Sequence, residues 1–130
     1  MTDKLIPLRI AGVGYSLPET VITNDDLTKL YETSDEWIYT RTGIKERRVV
    51  SGEQNAIDLG LEAAQNALAK AKMNPEDIDL ILAASSAPPD LYPAIACHIQ
   101  ARLGITKPIP AFDITAACSG LIYGLSIAKA

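Results

Sequence analysis

Apolar positions recur with two different periods along this chain. Between about 55 and 72, Ile57, Leu61, Ala64, Leu68 and Ala71 follow one another at alternating four- and three-residue steps, which predicts one long amphipathic helix. Leu80-Ile81-Leu82-Ala83-Ala84, within Asp79–Ser86, is instead a continuous apolar run with abrupt ends. A run of that length predicts a strand covered on both faces. Residues 6–14 read as a first strand, broken by Gly12, Gly14 and Ser16-Leu17-Pro18. Phe112-Asp113-Ile114-Thr115 reads as a short last strand, and Ser119–Ala130 as a final helix of small residues.

Polar punctuation places the other elements. Asn24 suits the N-cap of a short helix at about 25–31. Ser34 suits a second N-cap, with Asp35 and Glu36 in the first turn and Gly43 as the stop after Thr42. Lys45–Val50 looks extended. Asn74-Pro75-Glu76-Asp77 opens a short helical turn with Pro75 at its first position. Ala87-Pro88-Pro89-Asp90 is a loop, and Pro93–Leu103 is a helix closed by Gly104. The order strand, helices, strand, helix, strand, helix predicts an α/β protein, a parallel or mixed sheet with helices packed on it. Residues 1–130 carry no internal boundary in this reading. Nothing after Lys129-Ala130 stops the last helix, and three strands leave an uncovered edge, so the expectation is an incomplete N-terminal domain of something larger.

Composition narrows the function classes. A hydrophobic fraction of 48% with 22% charged residues fits an ordinary globular protein. A net charge of −4 argues against nucleic acid as a partner. Within it, Arg41, Lys45, Arg47 and Arg48 cluster, opposed only by Glu46. The cluster reads either as the footprint of an anionic ligand or partner, or as a solvated loop. No secretory h-region and no membrane-length apolar run is visible, so a cytoplasmic protein with reduced thiols is expected. Cys97, Cys118 and His98 are too few and too scattered for a metal site.

Cys118 stands where the last strand gives way to the last helix. A thiolate at a helix N-terminus is stabilised by the dipole and by free amides, and those amides can also bind a developing oxyanion. Ala116, Ala117, Ser119 and Gly120 leave room for a substrate. Position alone leaves open a small buried cysteine of the core.

Three segments decide between these readings: Thr33-Ser34-Asp35-Glu36-Trp37-Ile38-Tyr39-Thr40-Arg41-Thr42-Gly43-Ile44; Pro93-Ala94-Ile95-Ala96-Cys97-His98-Ile99-Gln100 with Leu103-Gly104-Ile105; and Pro110-Ala111-Phe112-Asp113-Ile114-Thr115-Ala116-Ala117-Cys118-Ser119-Gly120. Together with Gly12–Glu19 and Thr23-Asn24, they resemble beta-ketoacyl-acyl-carrier-protein synthase III, a thiolase-fold condensing enzyme, along essentially the whole chain. The resemblance implies the N-terminal part of a thiolase-like fold. It implies an acyltransferase in which Cys118 accepts a short acyl group, usually acetyl, from coenzyme A. Malonyl-acyl-carrier protein then loses carbon dioxide and attacks the thioester, which starts a fatty acid chain. Trp37 would stack on the adenine, Arg41 would hold a coenzyme A phosphate, and Thr33 would make a nearby polar contact. The coenzyme A thioester is a substrate, and no permanent cofactor is implied. The carrier protein would dock on the Lys45–Arg48 side, and the protein would be a homodimer.

The resemblance also limits the reading. Tyr92 stands where the family has an aromatic, usually Phe, near the acyl pocket. His98 stands where Gln is typical, and the family's catalytic His and Asn lie downstream of everything in this chain. Cys97 reads as structural. Thr33–Trp37 argues against a hydroxymethylglutaryl-CoA synthase or a polyketide-type enzyme. The remaining alternative is a non-catalytic, truncated thiolase-like piece that folds, dimerises or binds coenzyme A.

Overall fold

The computed structural model describes residues 8–129. The chain divides into two compact units, Leu17–Asn55 and a second built from residues up to Ser16 together with Ala56–Ala130.

The smaller unit pairs strand β1 (Thr20–Thr23) antiparallel with β2 (Glu46–Val49), and between them run helices α1 (Asn24–Thr28) and α2 (Asp35–Thr42). β2 falls within the extended Lys45–Val50; β1 is not among the expected strands, although Thr20-Val21-Ile22-Thr23 is a run of four β-branched residues. Asn24 is not the N-cap of α1. Thr23 is: its Oγ1 accepts from the Asp26 amide, and the Asp26 carboxylate accepts from the Thr23 amide. Asn24 lies one step inside the helix, and its side chain is spent on tertiary contacts. The Lys29 ammonium first, then the Thr23 hydroxyl and amide, hold the Asp26 carboxyl well below the usual carboxylate range. α2 is capped as the sequence predicts. Ser34 Oγ accepts from the Trp37 amide, and Gly43 closes the helix at φ 71°, a conformation glycine takes without steric cost.

The larger unit holds α3 (Ala56–Ala71), a 3₁₀ turn at Pro75–Asp77, β3 (Ile81–Ala84), α4 (Ile95–Leu103), β4 (Ala111–Ile114), a 3₁₀ turn at Ala117–Ser119 and α5 (Gly120–Lys129). β3 and β4 are parallel, with Ile81 opposite Ala111 and Ala84 opposite Ile114. Ile57, Ile95 and Ile99 form the core between α3 and α4, with Ala64, Ile81, Ala83 and Leu103 against it. β3 is only half-covered in this chain rather than buried on both faces. α4 starts two residues after the expected Pro93, because the cap comes from another element: the Asp113 carboxylate accepts from the Ile95 and Ala96 amides at 2.8 and 2.9 Å.

The sheet differs from the expectation. Two separate two-stranded ladders replace a single three-stranded one. Residues 6 and 7 of the expected first strand lie outside the described residues, and 8–14 join no ladder. This segment packs against α3 instead. A Cβ on Gly12 would stand 2.5 Å from the Ala67 carbonyl oxygen, and one on Gly14 would overlap the Ala63 carbonyl oxygen and the Ala67 amide. The two glycines that looked like strand breakers are where backbone meets helix backbone. Ala130, the last residue of the expected final helix, also lies outside the described residues.

Candidate functional site

The residues singled out from the sequence fall into two groups, one in each compact unit. Thr33, Trp37 and Arg41 belong to the smaller unit. Trp37 and Arg41 stand one turn apart on α2, and the Arg41 guanidinium lies over the indole, 4.8 Å from the ring centroid. Such a contact is worth roughly 0.5–1 kcal/mol at an exposed site. Trp37 is still 55% exposed, so the indole keeps surface for a flat partner. Arg41 occupies the last turn of α2, where the helix dipole favours a cation. Thr33 and Trp37 line one open hollow with Glu32 and Ser34. From Thr33 before its cap to Arg41 in its last turn, α2 therefore presents a hydroxyl, an aromatic face and a guanidinium.

The basic cluster is largely committed inside its own unit. Arg47 donates to the Ile22 carbonyl and to Asn24 Oδ1, at 3.2 and 2.7 Å. Arg48 donates to the Pro18 carbonyl at 3.0 Å. The Lys45 ammonium lies 5.3 Å from the Tyr39 ring centroid. Arg47 is spent inside the unit, its guanidinium tying β2 to β1 and to the start of α1, whereas Arg48 stays exposed and only donates to backbone carbonyl oxygen. Only a three-dimensional neighbour could reveal this, because a carbonyl acceptor leaves no mark in the sequence.

Cys118 belongs to the larger unit, in the Ala117–Ser119 turn between β4 and α5, and it is exposed. Ala117, directly before it, has φ 44°. For a residue with a Cβ, this left-handed conformation costs about 1–2 kcal/mol. The turn places the thiol between the end of β4 and the start of α5. Ser119 donates its hydroxyl to the Ala116 carbonyl at 2.7 Å, closing the turn. Gly120 is buried; a Cβ there would stand 2.9 Å from that of Ala84, so glycine lets α5 begin tight against the end of β3.

Other candidates sit elsewhere. Cys97, a free and half-buried thiol, points Sγ to the Ala111 carbonyl at 3.4 Å, so α4 and β4 are joined there too. Cys118 is also free. His98 is half-buried on α4, and its Nε2 has no hydrogen-bond partner. Tyr92 is 88% exposed. Among the described residues, no three His, Cys, Asp or Glu side chains gather in a group able to hold a metal ion. No helix among them is long and apolar enough to cross a membrane.

Comparison with known proteins gives this geometry a family. No family model matches the chain. It is 52% identical over 120 residues to beta-ketoacyl-acyl-carrier-protein synthase III 1 of Vibrio vulnificus, covering 92% of this chain and 38% of that protein. It is likewise 52% identical over 124 residues to the chloroplastic synthase III of Arabidopsis thaliana, covering 94% and 30%. The crystal structure of 3-oxoacyl-acyl-carrier-protein synthase III from Aquifex aeolicus superposes with a TM-score of 0.86 at 48% identity, over 92% of this chain and 38% of that one. A priming beta-ketosynthase of a polyketide pathway superposes at 0.88 with 32% identity, over 93% and 36%. The chain thus spans between 30% and 38% of the length of these relatives. In sequence and in its mixed α/β thiolase fold, it belongs with the beta-ketoacyl-acyl-carrier-protein synthase III family and matches the N-terminal portion of its members.

Proposed function

We propose that the chain carries the acyl-accepting half of a beta-ketoacyl-acyl-carrier-protein synthase III, with Cys118 as the nucleophile. The observation that carries this reading is the turn at Ala117–Ser119. An exposed thiol stands after a left-handed alanine, at the mouth of a helix, in a chain about half identical to synthases of that name. The Cys118 thiolate attacks the carbonyl carbon of an acyl-CoA, and a tetrahedral oxyanion forms. Its collapse expels the coenzyme A thiolate, which takes up a proton, and leaves an acyl thioester on Sγ. One thioester replaces another, so the exchange is close to balanced, and cysteine is suited to it by its nucleophilicity near neutral pH.

Trp37, Arg41 and Thr33 are the groups for the nucleotide end of coenzyme A. An indole offers a face for the adenine, and a guanidinium pairs with phosphate oxygens. The second half-reaction loses carbon dioxide from malonyl-acyl-carrier protein, and the resulting carbanion displaces Sγ from the acyl carbon. By the same reading, its His and Asn come from downstream of the portion matched here. Acyl-CoA and malonyl-acyl-carrier protein are then the partners, in a cytoplasmic homodimer without a resident cofactor.

Intact mass after incubation with acetyl-CoA tests the assignment. The chain is expected to gain one acetyl group, and Cys118→Ala to gain none. Labelling that persists in Cys118→Ala would falsify the nucleophile. Because the chain spans only 38% of its Vibrio relative, a second reading stands beside this one: a thiolase-like piece that binds coenzyme A without reacting. Saturable binding of coenzyme A with no acetyl gain in the unaltered chain would favour it.

A further inference from the structure

α2, the helix that carries Trp37 and Arg41, buries none of its residues. In the smaller unit the buried residues are Pro18 and Asn24, so an apolar core is not what fixes this helix. Asn24 is 1% exposed, and its hydrogen-bonding groups are used to the full. Nδ2 donates to Asp35 Oδ1 at 2.7 Å and to the Ile44 carbonyl at 2.8 Å. Oδ1 accepts from Arg47 Nη2 at 2.7 Å, and the backbone amide donates to the Lys45 carbonyl at 3.2 Å. Asp35 is the first residue of α2, and Ile44 follows its C-cap, Gly43. One carboxamide therefore grips both ends of the helix, while Arg47 anchors that carboxamide to the Ile22 carbonyl of β1. The orientation of the amide is fixed by its partners. Rotated by half a turn, it would face an oxygen to a carboxylate and a carbonyl, and an NH₂ to a guanidinium.

We infer that Asn24 is a positioning residue for coenzyme A recognition, holding α2 so that Trp37 and Arg41 are presented together as a rigid pair. The inference rests on the coenzyme A reading above. Its chemistry is specific: the position needs two donors and one acceptor in a buried space. Aspartate keeps the acceptor for Arg47 but sets a carboxylate against Asp35 and the Ile44 carbonyl. A buried polar group that loses its partners costs far more than a surface one, so the helix ends would part rather than stay in place.

Trp37 is the only tryptophan in the sequence, so its fluorescence reports on the pair without a label. Titration of the chain with coenzyme A is read by that fluorescence, beside the emission maximum of the free protein. Asn24→Asp loses both Nδ2 hydrogen bonds and is expected to shift the emission and to weaken coenzyme A binding by about tenfold or more. Asp35→Ala, at an exposed position, removes only the acceptor at the start of α2 and is expected to act in the same direction. Asp35→Asn keeps an oxygen for Nδ2 and should recover most of the affinity lost in Asp35→Ala. A purely stabilising role would lower the melting temperature of both Asp35 variants and leave emission and affinity alone. Unchanged emission and affinity in Asn24→Asp, or Asp35→Asn no better than Asp35→Ala, overturns the inference. If Asn24→Asp does not fold, the two Asp35 variants decide. A parent chain that binds no coenzyme A sinks the ligand reading instead, and the emission shift still tests the clamp.

Discussion

Asp113 works for an element other than its own. From β4 its two carboxylate oxygens take the Ile95 and Ala96 amides, which α4 leaves unpaired at its N-terminus. Ala94 stands at the cap position itself and has no side chain to offer. The carboxylate adds its charge to the favourable end of the helix dipole. Asp113 lies five residues before Cys118, so the same contact ties the strand leading into the thiol turn to the core helix. Asp113→Ala is expected to destabilise the larger unit by about 1–2 kcal/mol, the usual range for a lost side-chain cap. A urea titration followed by far-UV circular dichroism measures it, and a midpoint unchanged from the parent would remove Asp113 from the frame of the site. Neither the sequence around Ala94 nor that around Asp113 announces this pairing, because the two are brought together by the parallel register of β3 and β4 and the packing of α4 on both strands.

At the scale of elements, local signals and long-range contacts separate cleanly. α2 was legible from Ser34 to Gly43, since both caps act within one turn of the residues they serve. α3 was legible from its period, and its core-facing Ile57 is buried as that period requires. The opening segment was not. Its apolar residues suggest a strand, but over 8–14 no ladder forms, and Gly12 and Gly14 instead let it lie on the backbone of α3. Gly14→Ala should therefore cost about 1–3 kcal/mol, the range for overpacking, because a methyl there meets the backbone of Ala63 and Ala67, which cannot rotate away. A thermal melt of the variant checks this, and an unaltered melting temperature would mean the segment is not held against α3.

At the scale of the whole molecule, stability should depend on acid in a definite direction. Two carboxyls, one in each unit, titrate below their ordinary range. For Glu76 the leading cause is the Thr106 amide, followed by the Thr106 hydroxyl. For Asp26 it is Lys29, followed by Thr23. In both, the folded carboxyl holds its proton less tightly than the unfolded one. Their contribution is complete above the ordinary carboxylate range and falls away as the pH drops toward the folded values, because the unfolded chain takes up protons first. The expected result is a melting temperature that declines between about pH 5 and pH 2, with a shallower decline in Glu76→Gln. The same slope in Glu76→Gln as in the parent would remove the Glu76–Thr106 latch from the account. The larger unit also leaves Leu121, Ile122 and Tyr123 of α5 more than half exposed, an apolar surface that its small-residue contacts with β3 and β4 do not cover.

The sequence by itself determined the helices that carry their own period or caps, α2 and α3, and the residues to watch: Cys118 at a strand-to-helix junction, and Trp37 with Arg41 one turn apart. Each rests on spacing within a few residues, where the covalent chain already limits the geometry. The tertiary structure decided what spacing cannot carry. It gave Asn24 to the two ends of α2 rather than to an N-cap, set Arg47 against the Ile22 carbonyl and Asn24, and made Asp113 the cap of a helix eighteen residues before it. These are contacts of single polar groups across long stretches of chain, satisfied only once burial has removed water as the competing partner.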